Sequence, residues 1–158
     1  MKFIDRATDP WQTLPDVETP FPAPHRLLTR AQWQAVRRGW PHDVPVGIAL
    51  ENTIDVEDLA ADLPRFGLIA LEFPKWVDGR AYSQAHALRA RLRFGGEVRA
   101  TGDVLVDMAP LLRRTGFDAA LLKEGQRRSS AERALTFFAG HYQGDVLEPK
   151  PRFAREAV

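Results

Sequence analysis

The sequence predicts an α/β domain of four successive βα units, arranged as a half-barrel or a small open parallel sheet. Three observations carry this. From Val44 onward, short apolar runs of strand length alternate with segments whose apolar residues recur at helical period. The connections between the runs are long enough for parallel crossovers, which are right-handed almost without exception. The tetrapeptide Ile-Ala-Leu-Glu also occurs twice, at 48–51 and 69–72, one unit apart, as a barrel-like repeat would place it.

Residues 1–26 hold Pro10, Pro15, Pro20, Pro22 and Pro24 with little periodicity and read as an extended Pro-rich arm, whose Phe3, Trp11 and Phe21 suggest that it docks on a partner or on its own domain. Residues 27–144 form the single α/β domain. Thr29 with Gln32 makes a capping box that starts a helix running to about Gly39. Residues 46–51 are the first strand. Asp55 and Asp58 open a helix with Val56, Leu59 and Leu63 on one stripe, ended by Pro64. Residues 67–73 are the second strand. Ala81, Ala85, Leu88 and Leu92 then line one helical face. Residues 97–103 form a third strand, and Leu105, Met108 and Leu112 mark a helix kinked at Pro110 and closed by Gly116. Residues 118–123 form the fourth strand, and Ser129 with Glu132 caps a last helix through Leu135 and Phe138. Residues 145–158, with Pro149 and Pro151, read as a disordered tail.

Composition narrows the function. Lys plus Arg number 22 against 21 Asp plus Glu, so no overall field draws the chain to nucleic acid or membrane. Cysteine is absent, which excludes disulfides, thiolate-held zinc or iron–sulfur clusters and thiol redox chemistry in this chain. The histidines at 25, 42, 86 and 141 have no ligand spacing, and no phosphate-loop pattern occurs, so no metal is expected and no cofactor is readable. No apolar run approaches the ~20 residues of a membrane span. The first five residues carry an early acid and no apolar core, unlike a signal peptide. A cytoplasmic protein is expected.

Candidate site residues come from strand alternation and from the connection after the second strand. If bulky residues pack under the helices, Glu51, Glu72 and Arg99 with Thr101 and Asp103 turn to one concave side near the strand carboxyl ends, where barrel-type proteins place chemistry. Lys123 falls on the other phase but ends its strand. The stretch from Phe73 to Gln84 holds two cations, a carboxylate, Trp76 and Tyr82, rich for a strand-to-helix connection. An anion site would draw on Lys75, Arg80, Arg89, Arg99 and Lys123 as donors, with Tyr82, Gln84 and Glu51 beside them and Glu72 or Asp103 as general base. The same charges equally suit a structural ion-pair network, and the sequence leaves both readings open. Asp78 reads as the cap of the following helix.

Asp78-Gly79-Arg80-x-Tyr82-Ser83-Gln84, with Leu88-Arg89, Gly96-Glu97-Val98-Arg99-Ala100, Gly102-Asp103-Val104-Leu105 and Arg114-Thr115-Gly116-Phe117-Asp118, resembles the DUF934 family of small bacterial proteins. The chain departs from the family pattern at Thr115 and Ala120, where Cys and Phe are expected. The resemblance implies an oxidoreductase or accessory role in assimilatory sulfite reduction, with the sulfite reductase haemoprotein as partner, since members are encoded beside it. The alternative reading is a small barrel-like enzyme acting on an anionic metabolite. A sheet of four strands would also leave edges for a homodimer to cover.

Overall fold

The computed structural model describes residues 1–15, 19–138 and 140–154. Seven strands form one sheet: β1 (Lys2–Phe3), β2 (Gln12–Thr13), β3 (Arg26–Thr29), β4 (Val46–Leu50), β5 (Phe66–Phe73), β6 (Glu97–Gly102) and β7 (Ala119–Ala120). The spatial order is β1-β7-β6-β5-β4-β3-β2 and every pair is parallel. The four predicted units supply β4 to β7, and the sheet is an open half-barrel. The two Ile-Ala-Leu-Glu copies lie side by side, with Ile48 opposite Ile69, Ala49 opposite Ala70 and Leu50 opposite Leu71. Ile48, Leu50, Ile69, Leu71 and Val98 are buried beneath the helices, and each such side chain contributes about 1.5–3 kcal/mol.

The helical layer comprises α1 (Arg30–Val36), α2 (Arg80–His86), α3 (Ala109–Thr115) and α4 (Arg128–Ala134). The Thr29–Gln32 capping box is present as expected. Pro110 sits in the first turn of α3, where its missing N–H costs nothing, so it starts the helix rather than kinking it. Gly116 closes α3 in the left-handed conformation, at φ 105°. The segment expected as a helix after Asp55 is instead two single 3₁₀ turns, Val56–Leu59 and Leu63–Arg65. Pro64 has no amide to donate to the Ala60 carbonyl, so an α-helix cannot run on through it and the apolar stripe is buried by two separate turns. The helix from Arg80 widens into a π turn at Ala87–Arg91. Helix α4 begins after Arg127 with no side-chain cap; Ser129 lies inside it and Glu132 pairs with Arg128 at 2.7 Å.

The first fifteen residues are part of the sheet rather than a separate arm. β1 extends it beyond β7 and β2 beyond β3, so one segment of chain covers both edges. In a flat seven-stranded sheet those edges would lie about 29 Å apart. The nine residue steps from Phe3 to Gln12 reach at most about 31 Å when fully extended, and a turn between Asp5 and Thr8 shortens them. The strap can join the edges because the sheet curves. Its Asp9 and Trp11 descend onto the concave face, where Trp11 packs over Gly47 and Gly67. A Cβ on Gly47 would stand 2.8 Å from the indole, so that position needs glycine for the close approach. The stretch after Gly144, read as a tail, is held by Arg114 through Asp145 at 3.2 Å and through the Val146 amide; 155–158 lie outside the described residues. No helix among the described residues is long and apolar enough to cross a membrane.

Candidate functional site

Curvature leaves a cleft of about 920 Å³ on the concave side. Alternation along the strands projects Thr29, Ala49, Ala70, Arg99 and Thr101 into it, with Glu51 and Glu72 at the strand carboxyl ends and Trp11 and Asp9 of the strap beneath. Leu50 and Leu71 are the last paired residues of β4 and β5, and Glu51 and Glu72 each come next, so both carboxylates leave the carboxyl ends of neighbouring strands. Both are exposed. The Thr53 hydroxyl donates to Glu51 at 3.4 Å. Gln84, buried on α2, donates to the carbonyls of Glu51 at 2.9 Å and Ile54 at 2.7 Å, so the turn that carries Glu51 is tied to the helix behind it.

Arg99 also faces this cleft, yet it is 3 % exposed and already engaged. Its Nε donates to Glu97 at 2.7 Å and a terminal nitrogen donates to Asp9 at 2.6 Å. Asp9 in turn accepts from the Trp11 amide. The guanidinium thus fixes the strap to the middle of the sheet.

The structure brings Glu51, Glu72 and Arg99 into one cleft and places the other predicted site residues elsewhere. Asp103 pairs with Lys123 at 2.6 Å and accepts from the Trp76 amide at 3.0 Å. That pairing, Lys123 first and the amide second, lowers the Asp103 carboxyl below its ordinary range. Arg80 chelates Asp78, at 3.0 Å from Nε and 2.7 Å from a terminal nitrogen. This contact, aided by Asn52, holds the Asp78 carboxyl far below the usual carboxylate range. Asp78 also accepts from the Arg80 amide, although the residue at the cap position is Gly79. Tyr82 packs edge-on against Phe73 and Phe117, and burial pushes its hydroxyl up to about 12. Arg89 donates to the carbonyls of Phe94, Gly96 and Gly116 and pairs with Asp118, at the opposite end of the strands. Lys75 is exposed on the loop after β5. The cations of the expected anion clamp are therefore distributed around the molecule, four of the five in contacts of their own.

The cleft has contributors that sequence reasoning missed: Arg6, Asp9, Trp11 and Thr29. Asp9 precedes Pro10 in a segment without periodicity, and nothing in the sequence links it to Arg99 ninety residues away.

The model of a family described as "Bacterial protein of unknown function (DUF934)" matches residues 47–153. The chain belongs to the DUF934 family. No curated protein matches it. The matched span contains Glu51, Glu72, Arg99 and the Phe73–Gln84 signature, whereas the strap and β1 to β3 precede it. In this DUF934 chain most of the signature residues build the rim: Asp78 with Arg80 shapes the loop after β5, Gln84 holds the turn after β4, and Tyr82 joins the aromatic core between them.

Proposed function

We propose that this DUF934 protein is a cytoplasmic accessory protein of assimilatory sulfite reduction, acting with the sulfite reductase haemoprotein by docking through the loop after β5. The pathway comes from the family resemblance. The docking surface is carried by one observation: Trp76 and Val77 are 52 % and 65 % exposed on a loop whose backbone is pinned. The Asp103–Lys123 pair grips the Trp76 amide, the Asp78 amide donates to the Lys75 carbonyl at 2.9 Å, and Asp78 is chelated by Arg80. A rigid loop presenting an indole loses little entropy on association, and tryptophan is enriched among interface residues that dominate binding energy.

A small oxyanion acting at the strand ends, as the resemblance allows, would meet cations that are mostly already paired, which supports docking over anion transfer. The test is affinity capture of the haemoprotein by the tagged protein from cells grown on sulfate. Wild type should retain it, and Trp76→Ser with Val77→Ser should lose at least roughly tenfold in affinity, as for a hot-spot truncation. Equal capture by both proteins, or none by wild type together with normal growth of a deletion strain on sulfate, would remove the reading.

A further inference from the structure

We propose that the concave cleft is a binding site for an organic cation, a primary ammonium or a guanidinium, seated between Glu51 and Glu72. The cavity comes first. At about 920 Å³ it has the size of a small-molecule site and lies where parallel-strand folds place their ligands. Its walls at Ala49, Ala70, Ile54 and Leu121 are apolar, and the Trp11 indole closes its lower end.

The charges then select the occupant. Of the arginines that line the cleft, Arg99 is held by Asp9 and Glu97, and Arg30 pairs with Asp58 at 3.1 Å. Glu51 and Glu72 have no ion-pair partner among the described residues; the Thr53 hydroxyl is the contact of Glu51. Two adjacent carboxylates in an apolar-walled cleft favour a cation that both can accept from, and charge-assisted hydrogen bonds of this kind are the strong ones. Thr29 and Thr101 line the same walls, their hydroxyls already bonded to the Gln32 amide and the Leu71 carbonyl. Arg6, exposed on the strap, follows β1, three strands away from β5 in the sheet order. It lines the same cleft with no ion-pair partner among the described residues, and suits a ligand that carries an anionic group at its other end, as free arginine and lysine do. The sequence suggested an oxyanion at these strand ends; with Arg30 and Arg99 paired and the glutamates open, a cation is the occupant proposed here.

The experiment is titration of the intact protein with arginine, lysine and agmatine, and separately with sulfate and sulfite at matched ionic strength, followed by calorimetry and by amide shifts at residues 51 and 72. At least one amine should bind saturably with shifts centred on those residues. Glu51→Gln with Glu72→Gln, an isosteric change at exposed positions, should weaken binding by roughly tenfold or more, the loss of a hydrogen bond to a charged group. Failure of all three amines to bind, binding undiminished in the double variant, or sulfate and sulfite shifting residues 51 and 72 in place of the amines would overturn the proposal. The outcome is independent of haemoprotein capture, which is read at Trp76.

Discussion

At the amino-terminal end of the strands, Arg89 gives its guanidinium to three backbone carbonyls and Asp118, so its donors are taken. At the carboxyl end, Glu51 and Glu72 face a cleft unpaired among the described residues, and Trp76 stands in solvent on a pinned loop. Both ends are rich in charge, and both would look like site material in a list of residues. The difference lies in what each charge already touches. A half-buried arginine that satisfies three carbonyls is a fastener, since removing it leaves those acceptors without their donor. A carboxylate that touches only a neighbouring hydroxyl is available for work.

The sharpest way to break this contrast is at the amino-terminal end. Arg89→Met should lower unfolding free energy by about 3 kcal/mol, because three half-buried carbonyls lose their donor at once; urea denaturation measures it. Glu51→Gln with Glu72→Gln should leave the urea midpoint nearly unchanged, as exposed substitutions usually do. A comparable loss from both variants would erase the distinction between the two ends.

Asp9→Ala probes the middle ground, where Arg99 faces the cleft but works as a fastener. Breaking this buried pair should cost about 3 kcal/mol and shift the emission of Trp11, which the same strap holds in place. Unaltered stability would mean that the strap is not anchored through Arg99. Gly47→Ala should cost about 1–2 kcal/mol, since the added methyl meets the indole in a filled space.

The smallest effect concerns the pinned loop. Asp78 and Asp103 have folded-state pKa values below the unfolded value of about 3.9. Each therefore contributes fully above that pH and is lost as pH falls through the lower folded value. The Trp76 amide resonance should hold its position down to about pH 4 and move only below it. Lys123→Ala, which removes the main cause of the Asp103 shift, should bring that movement to higher pH.

Much of the architecture was legible where period and length carried it. The repeated Ile-Ala-Leu-Glu announced neighbouring strands, and simple alternation placed Glu51, Glu72, Arg99 and Thr101 on one face. The Thr29–Gln32 box gave a helix start because its chemistry is local. β1 and β2 were invisible because two-residue strands have no period; tertiary pairing alone makes them strands. The helix expected after Asp55 failed for the opposite reason, as its apolar stripe was real but Pro64 limited the backbone to single turns. In the candidate site, residue types were readable and partners were not. Arg80 beside Asp78 is a two-residue relation and could have been paired from sequence. Arg99 with Asp9, and Lys123 with Asp103, depend on how the sheet brings distant segments together. Choosing between an anion site and an ion-pair network needs the partners of the cations, and those are set by tertiary contact.

The strap also sets an order of events. β1 is made before every other strand of this sheet, yet its place beside Ala119 and Ala120 does not exist until those distant residues have been synthesised. β2, by contrast, has its partner fourteen residues downstream. A nascent chain can form one edge early while the other waits, leaving Phe3 and the unpaired flank of the growing sheet exposed in the interval. Long-range closure of this kind is slow and open to misassociation. The same few residues that finish the native sheet are thus the last to protect it.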